Sequence, residues 1–167
     1  TMTILLDEMN QWPQRAGVRG AVILVDECDN DADISHDRDA VHHSQSLILR
    51  RAAEIGLRIC IVRFGADGAL GCTDMYARGL LPAQLDEAIP DEATVYYKGA
   101  IESDGFINPR LGIDLANYTD VIIMGQSVNA CCANTARSAA TRVHARVHAC
   151  QFLLRGGNVA TEPIMRL

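Results

Sequence analysis

Three kinds of side chain capable of joint chemistry stand at or just beyond the ends of apolar runs of this sequence. Asp26 closes AVILVD (21–26), Lys98 lies near the end of TVYYKG (94–99), and Cys131 and Cys132 follow DVIIMG (120–125) in the turn GQSVNACCANTA. A carboxylate, an ammonium group and a thiol are what nucleophilic catalysis at a carbonyl needs. Asn129 reads as the N-cap of a helix, which puts Cys131 in its first turn. There the unpaired N–H groups and the positive end of the helix dipole favour a thiolate. The same N–H groups can hold an oxyanion. Asp26 is then the acceptor of the thiol proton, and Lys98 stabilises charge in both partners. The two cysteines read equally well as small residues packing a helix, because free cysteine is commonly buried.

The elements that must position these groups follow from periodicity. AVILVD is a continuous apolar run of the kind found in buried parallel strands. Residues 37–55 carry Ala40, Val41, Ser44, Leu47, Ile48, Arg51, Ala52 and Ile55 at helical steps, with Gly56 to end the helix. LRICIVRF (57–64), TVYYKG and DVIIMG are further strands. GADGALGCTDMYARG (65–79) is a Gly-rich loop, LPAQLDEAI a short helix, INPRLGIDLANY (107–118) a helix or helical turn, and CANTARSAATRV the start of another helix. For RVHARVHACQFLLRGGNVATEP two readings stand. Either VHARVHACQFLL is a strand, or the helix runs on and NVAT is the last strand. Strands alternating with helices give a parallel sheet with right-handed crossovers. The expected fold is one three-layer α/β domain, Rossmann-like, with about five strands. Ligands of such sheets bind beyond the carboxyl ends of the strands, where Asp26, Arg63, Lys98 and the cysteine turn all fall. Arg63 there either anchors a substrate carboxylate or pairs with an acid at the rim. Phe106 lines the pocket or belongs to the core, and Tyr97 alternates away from Lys98.

Composition removes several function classes. The 167 residues carry a formal net charge of −6, with 49% hydrophobic and 22% charged residues. No Lys/Arg cluster offers phosphate contacts, so nucleic acid is not an expected partner. No apolar run reaches the ~18 residues of a membrane span. TMTILLDEMNQWPQR lacks the basic start of a signal peptide, and the six cysteines lack CxxC or zinc-finger spacing. A reducing cytoplasm is the expected compartment. Asp29, Asp31 and Asp33 alternate as in a calcium loop. Ile34 and Ala40, where Gly and Glu are required, argue against one. His144 and His148 are four apart but lack a third ligand. His42 and His43 read as exposed helix residues.

Four segments together resemble the isochorismatase-like cysteine hydrolases: AVILVDECDND, GLLPAQLDEAIPDE, DEATVYYKGAIESDGFINPRLGIDL and DVIIMGQSVNACCANTARSAA, spanning roughly residues 20–142 in order. Gly125 precedes Cys131 by six residues and Thr135 follows it by four, as in that family's nucleophile turn. The resemblance implies Asp26, Lys98 and Cys131 as catalytic residues, with Cys132 as packing. It implies a cis peptide at Gln126–Ser127, which sets the Ser127 N–H beside that of Cys131 as an oxyanion hole. It also implies a common tendency to form homo-oligomers, in which a partner subunit would wall the pocket. The implied reaction is hydrolysis of a small amide or carbamoyl C–N bond through a thioester. The alternatives are acid-catalysed vinyl-ether hydrolysis using Asp26, or a binding module that has lost activity.

This sequence also departs from the family. Cys28, Asn30 and Asp31 stand where Gln, Asp and Phe are frequent, leaving Asn30 as a substrate contact. Val128 replaces a frequent Thr or Ser, and Pro109 a common Thr. RFGADGALGCTD has no His where nicotinamidases of the family bind a metal, so neither a catalytic metal nor any other cofactor is expected. Isochorismate hydrolases lack the nucleophilic cysteine that this chain has.

Overall fold

The computed structural model describes residues 1–27, 38–64, 81–99 and 102–156. Its centre is a five-stranded sheet of β1 (Gly20–Val25), β2 (Arg58–Phe64), β3 (Thr94–Lys98), β4 (Asp120–Gln126) and β5 (Arg146–Arg155). The spatial order is β3-β2-β1-β4-β5, and every pairing is parallel. The helices are α1 (Met2–Gln11), α2 (Arg38–Glu54), the short α3 (Ala83–Asp86), α4 (Pro109–Asp114) and α5 (Ala133–Arg142).

Strand alternation sorts the core into two layers. Ala21, Ile23 and Val25 of β1 face one side with Cys60, Val62, Tyr96, Val121 and Ile123, covered by Leu111 of α4 and Ala136 and Ala139 of α5. Val22 and Leu24 face the other side with Ile59, Ile61, Ile122 and Met124, covered by Leu5 and Met9 of α1 and Ile48, Leu49 and Ala52 of α2. Both faces of β1 and β4 are therefore dry, which explains why those strands are unbroken apolar runs. The three-layer parallel fold expected from the sequence is the one observed.

Two regions needed structural resolution. Residues 2–11 form α1, which sequence reading left without an element; Thr1 accepts a hydrogen bond from the Ile4 N–H at its start. At the other end, Arg146–Arg155 is a strand, so the first reading of that segment holds. His144 and His148 consequently share no helix: His144 sits in the turn before β5 with φ +56°, and His148 lies on β5, 2.9 Å from Asp120. Gly125 is required where β4 crosses β1, since a Cβ there, at φ +129°, would stand 2.0 Å from the Val25 carbonyl oxygen.

Candidate active site

The strands end side by side, and three of the side chains singled out above meet there. Lys98, the last residue of β3, puts its Nζ 2.6 Å from Asp26 Oδ2 and 3.3 Å from Cys131 Sγ. The same ammonium donates to the Glu102 carbonyl at 2.8 Å and lies 3.9 Å from the centre of the Phe64 ring. Phe64 was not anticipated as part of this group. Its place next to Lys98 in the β2–β3 register was the available signal.

Asp26 arrives by a local exception to alternation. Val25 faces the α4–α5 layer, so a continued strand would turn Asp26 to the opposite face. Instead β1 stops, and Asp26 takes φ +52°, a left-handed conformation that Asp tolerates better than most residues. The Asp26 carbonyl is held by Gln126 Nε2 at 2.7 Å. Its carboxylate is buried, with the Lys98 ammonium at 2.6 Å and the Cys131 thiol as its neighbours.

Cys131 occupies a wider turn than expected. Residues Val128–Cys132 form one π-helical turn that leads into α5, and the residue before it is Ser127, not Asn129. The cap assigned to Asn129 is therefore corrected: the extra residue of a π turn moves the helix start two positions upstream. The Ser127 carbonyl instead receives the N–H groups of Ala130 and Cys132. The Gln126–Ser127 peptide is cis, and the Ser127 hydroxyl donates to the Gly156 carbonyl at 2.6 Å.

The electrostatics of the group are mutual. Burial pushes the Asp26 carboxyl above its ordinary range, and the Lys98 charge partly offsets this. Burial, reinforced by the Asp26 charge, pushes the Cys131 thiol up, with Lys98 acting against both. Burial and the neighbouring carboxylate thus oppose the thiolate that a helix terminus alone favours, and Lys98 supports it. Cys132 is fully buried and pushed well up by its surroundings.

The remaining sequence candidates fall elsewhere. Arg63 alternates to the face opposite Phe64 and Lys98, half-buried and away from the thiol. Phe106 is buried in the core beneath α4 and α5, in a short 3-10 turn anchored by Asp104. Asn30 and the Asp29–Asp33 row lie outside the described residues, as does the segment 65–79 that the sequence reads as a loop. Tyr97 is exposed, as its alternation required. His42 is not exposed: it is buried against Glu27 and is taken up below. Among the described residues no cluster of three or more His, Cys, Asp or Glu could hold a metal ion. No described helix is long and apolar enough to cross a membrane.

No family model and no curated protein matches the sequence. Solved structures do match in shape. A pyrazinamidase of Pyrococcus horikoshii in complex with zinc superposes with a TM-score of 0.67 at 17% identity, over 83% of this chain and 87% of that one. An N-carbamoylsarcosine amidase from Thermoplasma acidophilum gives 0.68 at 14%, over 84% and 86%. A MAR1 ribonuclease from Caenorhabditis elegans gives 0.65 at 16%, over 83% of this chain but 65% of that one. An isochorismatase-like hydrolase from Alkaliphilus metalliredigens gives 0.64 at 12%, over 84% and 81%.

Proposed function

We propose, from the isochorismatase-like fold that these neighbours share with the chain, that this protein is a hydrolase of small amide or carbamoyl compounds using Cys131 as nucleophile. The observation that carries the proposal is Lys98 Nζ standing 2.6 Å from Asp26 and 3.3 Å from Cys131 in a buried group. Burying a carboxylate and an ammonium beside a thiol carries a high desolvation cost, and such groups cluster at functional sites.

The reaction runs in two halves. As substrate binds, Asp26 takes the Cys131 proton and the sulfur adds to the carbonyl carbon, forming a C–S bond. The carbonyl electron pair moves to oxygen, which the N–H groups of Ser127 and Cys131 receive. The oxyanion collapses, the C–N bond breaks, and the leaving nitrogen takes the proton from Asp26. Water then attacks the thioester and gives a proton to Asp26, which returns it to the departing sulfur. Lys98 keeps the local charge balanced throughout. The raised Asp26 carboxyl suits this shuttle, since an acceptor that must also donate works best near the operating pH. No step uses a metal.

Two of the neighbours are amidases by name, which supports the C–N class. A net charge of −6 with no basic cluster gives no support to a ribonuclease reading. The raised Asp26 carboxyl favours one second reading, in which protonated Asp26 is the acid for vinyl-ether hydrolysis and Cys131 is dispensable. A panel of small primary amides and carbamoyl compounds, assayed for ammonia release with wild type and Cys131→Ala, tests the proposal. Release lost in the variant supports it. Release that survives Cys131→Ala overturns it.

A further inference from the structure

Immediately beside Asp26 lies a second buried ion pair that the reaction does not use. Glu27 and Arg155 are both almost wholly buried. Arg155 Nε lies 2.9 Å from Glu27 Oε1 and 3.1 Å from Oε2. His42 on α2 puts Nε2 2.5 Å from Glu27 Oε2. Burying a full charge pair in a core this size is costly, and apolar residues could fill the space without that cost.

The connections of the pair run to both halves of the site. Arg155 ends β5 and stands in register with Gln126, whose side chain holds the Asp26 carbonyl. The next residue, Gly156, accepts the Ser127 hydroxyl. Glu27 follows Asp26 directly, at the point where the chain leaves the strand in a left-handed turn. The Arg155 Nε–H is shared between both Glu27 oxygens, which centres the planar guanidinium on the carboxylate and suits it to fixing such a turn.

We propose that Glu27 and Arg155 are positioning residues: their buried pair locks the Asp26 turn to the end of β5 and so holds the Asp26 carboxylate against Lys98 and Cys131. This rests on the reading of Asp26 as the group that exchanges a proton with Cys131. The sequence carried the pair unnoticed, because Glu27 resembles the acidic loop that follows it and Arg155 lies 128 positions away.

The test reads Cys131 itself. Iodoacetamide alkylation of Cys131, followed by peptide mapping across pH 5–10, is compared in wild type, Asp26→Asn, the double variant Glu27→Gln/Arg155→Met, and Arg155→Lys, with thermal melting to verify folding. Asp26→Asn removes a charge that opposes the thiolate, so alkylation at pH 7 should rise on the order of tenfold. The double variant deletes one acid and one base, leaving net charge unchanged. It should nonetheless shift the pH profile in the same direction by at least half as much. Arg155→Lys keeps the charge but loses the planar guanidinium centred on Glu27, and should shift it the same way by a smaller amount. A folded double variant with the wild-type profile overturns the proposal. If the double variant does not fold, a wild-type profile in Arg155→Lys overturns it. If Asp26→Asn itself leaves the profile unchanged, the reading beneath the proposal fails and takes the proposal with it.

Discussion

The two ends of the sheet both carry charges, and they treat them differently. At the amino end, Arg58 NH2 lies 3.0 Å from the Tyr96 hydroxyl and 3.1 Å from Asp114 Oδ2, and the Tyr96 hydroxyl donates to that same carboxylate at 2.6 Å. This network is part-exposed and made of hydrogen bonds. At the carboxyl end, Asp26 is buried against the Lys98 ammonium and the Cys131 thiol. Asp114 is thus tied into a network that fixes it, while Asp26 faces the two groups between which a proton would move. The amino end also has a cleft of about 200 Å³ lined by Trp12, Arg19, Arg58 and Tyr118. A cavity is thus present where no thiol is, so concavity alone does not identify the reactive end.

The sharpest way to break this contrast is to remove each chemical group in turn. Cys131→Ala should abolish turnover of any amide found in the panel, a loss of at least about 10⁴-fold for a nucleophile. Asp26→Asn should cost about 10²–10⁴-fold in turnover while its thiol alkylates faster, a divergence that a merely structural carboxylate would not give. Lys98→Met should act oppositely on the thiol. It removes the charge that draws Cys131 down, so alkylation at pH 7 slows. Turnover at low pH sharpens the same point. Asp26 must be ionised to take the proton, and burial raises its carboxyl. The acid limb of kcat/KM should therefore lie above the ordinary carboxylate value near 3.9.

Much of this was legible in the sequence because β1 and β4 are buried on both faces, and an unbroken apolar run announces such strands. Strand ends in a parallel sheet share one edge, so Asp26, Lys98 and the cysteine turn could be brought together from topology alone. The failures have a common physical cause. Glu27, His42 and Arg155 are polar residues on three separate elements, and their burial depends on one another; no local pattern reveals a charge whose partner is 128 positions away. Phe64 looked like the end of an apolar strand, and its contact with Lys98 exists only through the β2–β3 register. At Cys131 the helix terminus is legible in the sequence, whereas the desolvation and the neighbouring carboxylate that act against it come only with the fold. Arg63 ends β2 at the same edge of the sheet but alternates to the face opposite Phe64 and Lys98, which a list of strand ends does not distinguish.

At the amino end, Tyr96→Phe removes the two hydrogen bonds of the hydroxyl and leaves Arg58 and Asp114 paired. It should cost about 1–2 kcal/mol in denaturant unfolding, within the range for a part-buried hydroxyl. Cys131 alkylation should be unchanged, since Tyr96 lies two residues before Lys98 and points into the α4–α5 core layer with Asp114 beyond it. A changed alkylation profile would mean that the two ends communicate along β3 and that the contrast drawn above is too simple.

The smallest effect expected concerns Cys60, which sits on the same face of β2 as Val62 and is completely buried. Burial pushes its thiol to about 11, with Arg58 acting the other way. The unfolded chain ionises the same thiol near 8.5. Below that pH both states hold the proton, and the contribution of Cys60 to stability is complete. As pH rises toward 11 the unfolded state releases its proton while the folded state keeps it, so stability falls at up to about 1.4 kcal/mol per pH unit. The full loss is about 3 kcal/mol, reached only near the folded value. Cys60→Ala should flatten this part of the curve, so the fall in unfolding free energy between pH 8 and pH 10.5 is smaller than in wild type. The fully buried Cys132 adds a similar fall of its own, which the variant leaves in place. If Cys60→Ala and wild type lose stability equally over that interval, Cys60 is reached by water, and the amino end of the sheet is less dry than its packing indicates.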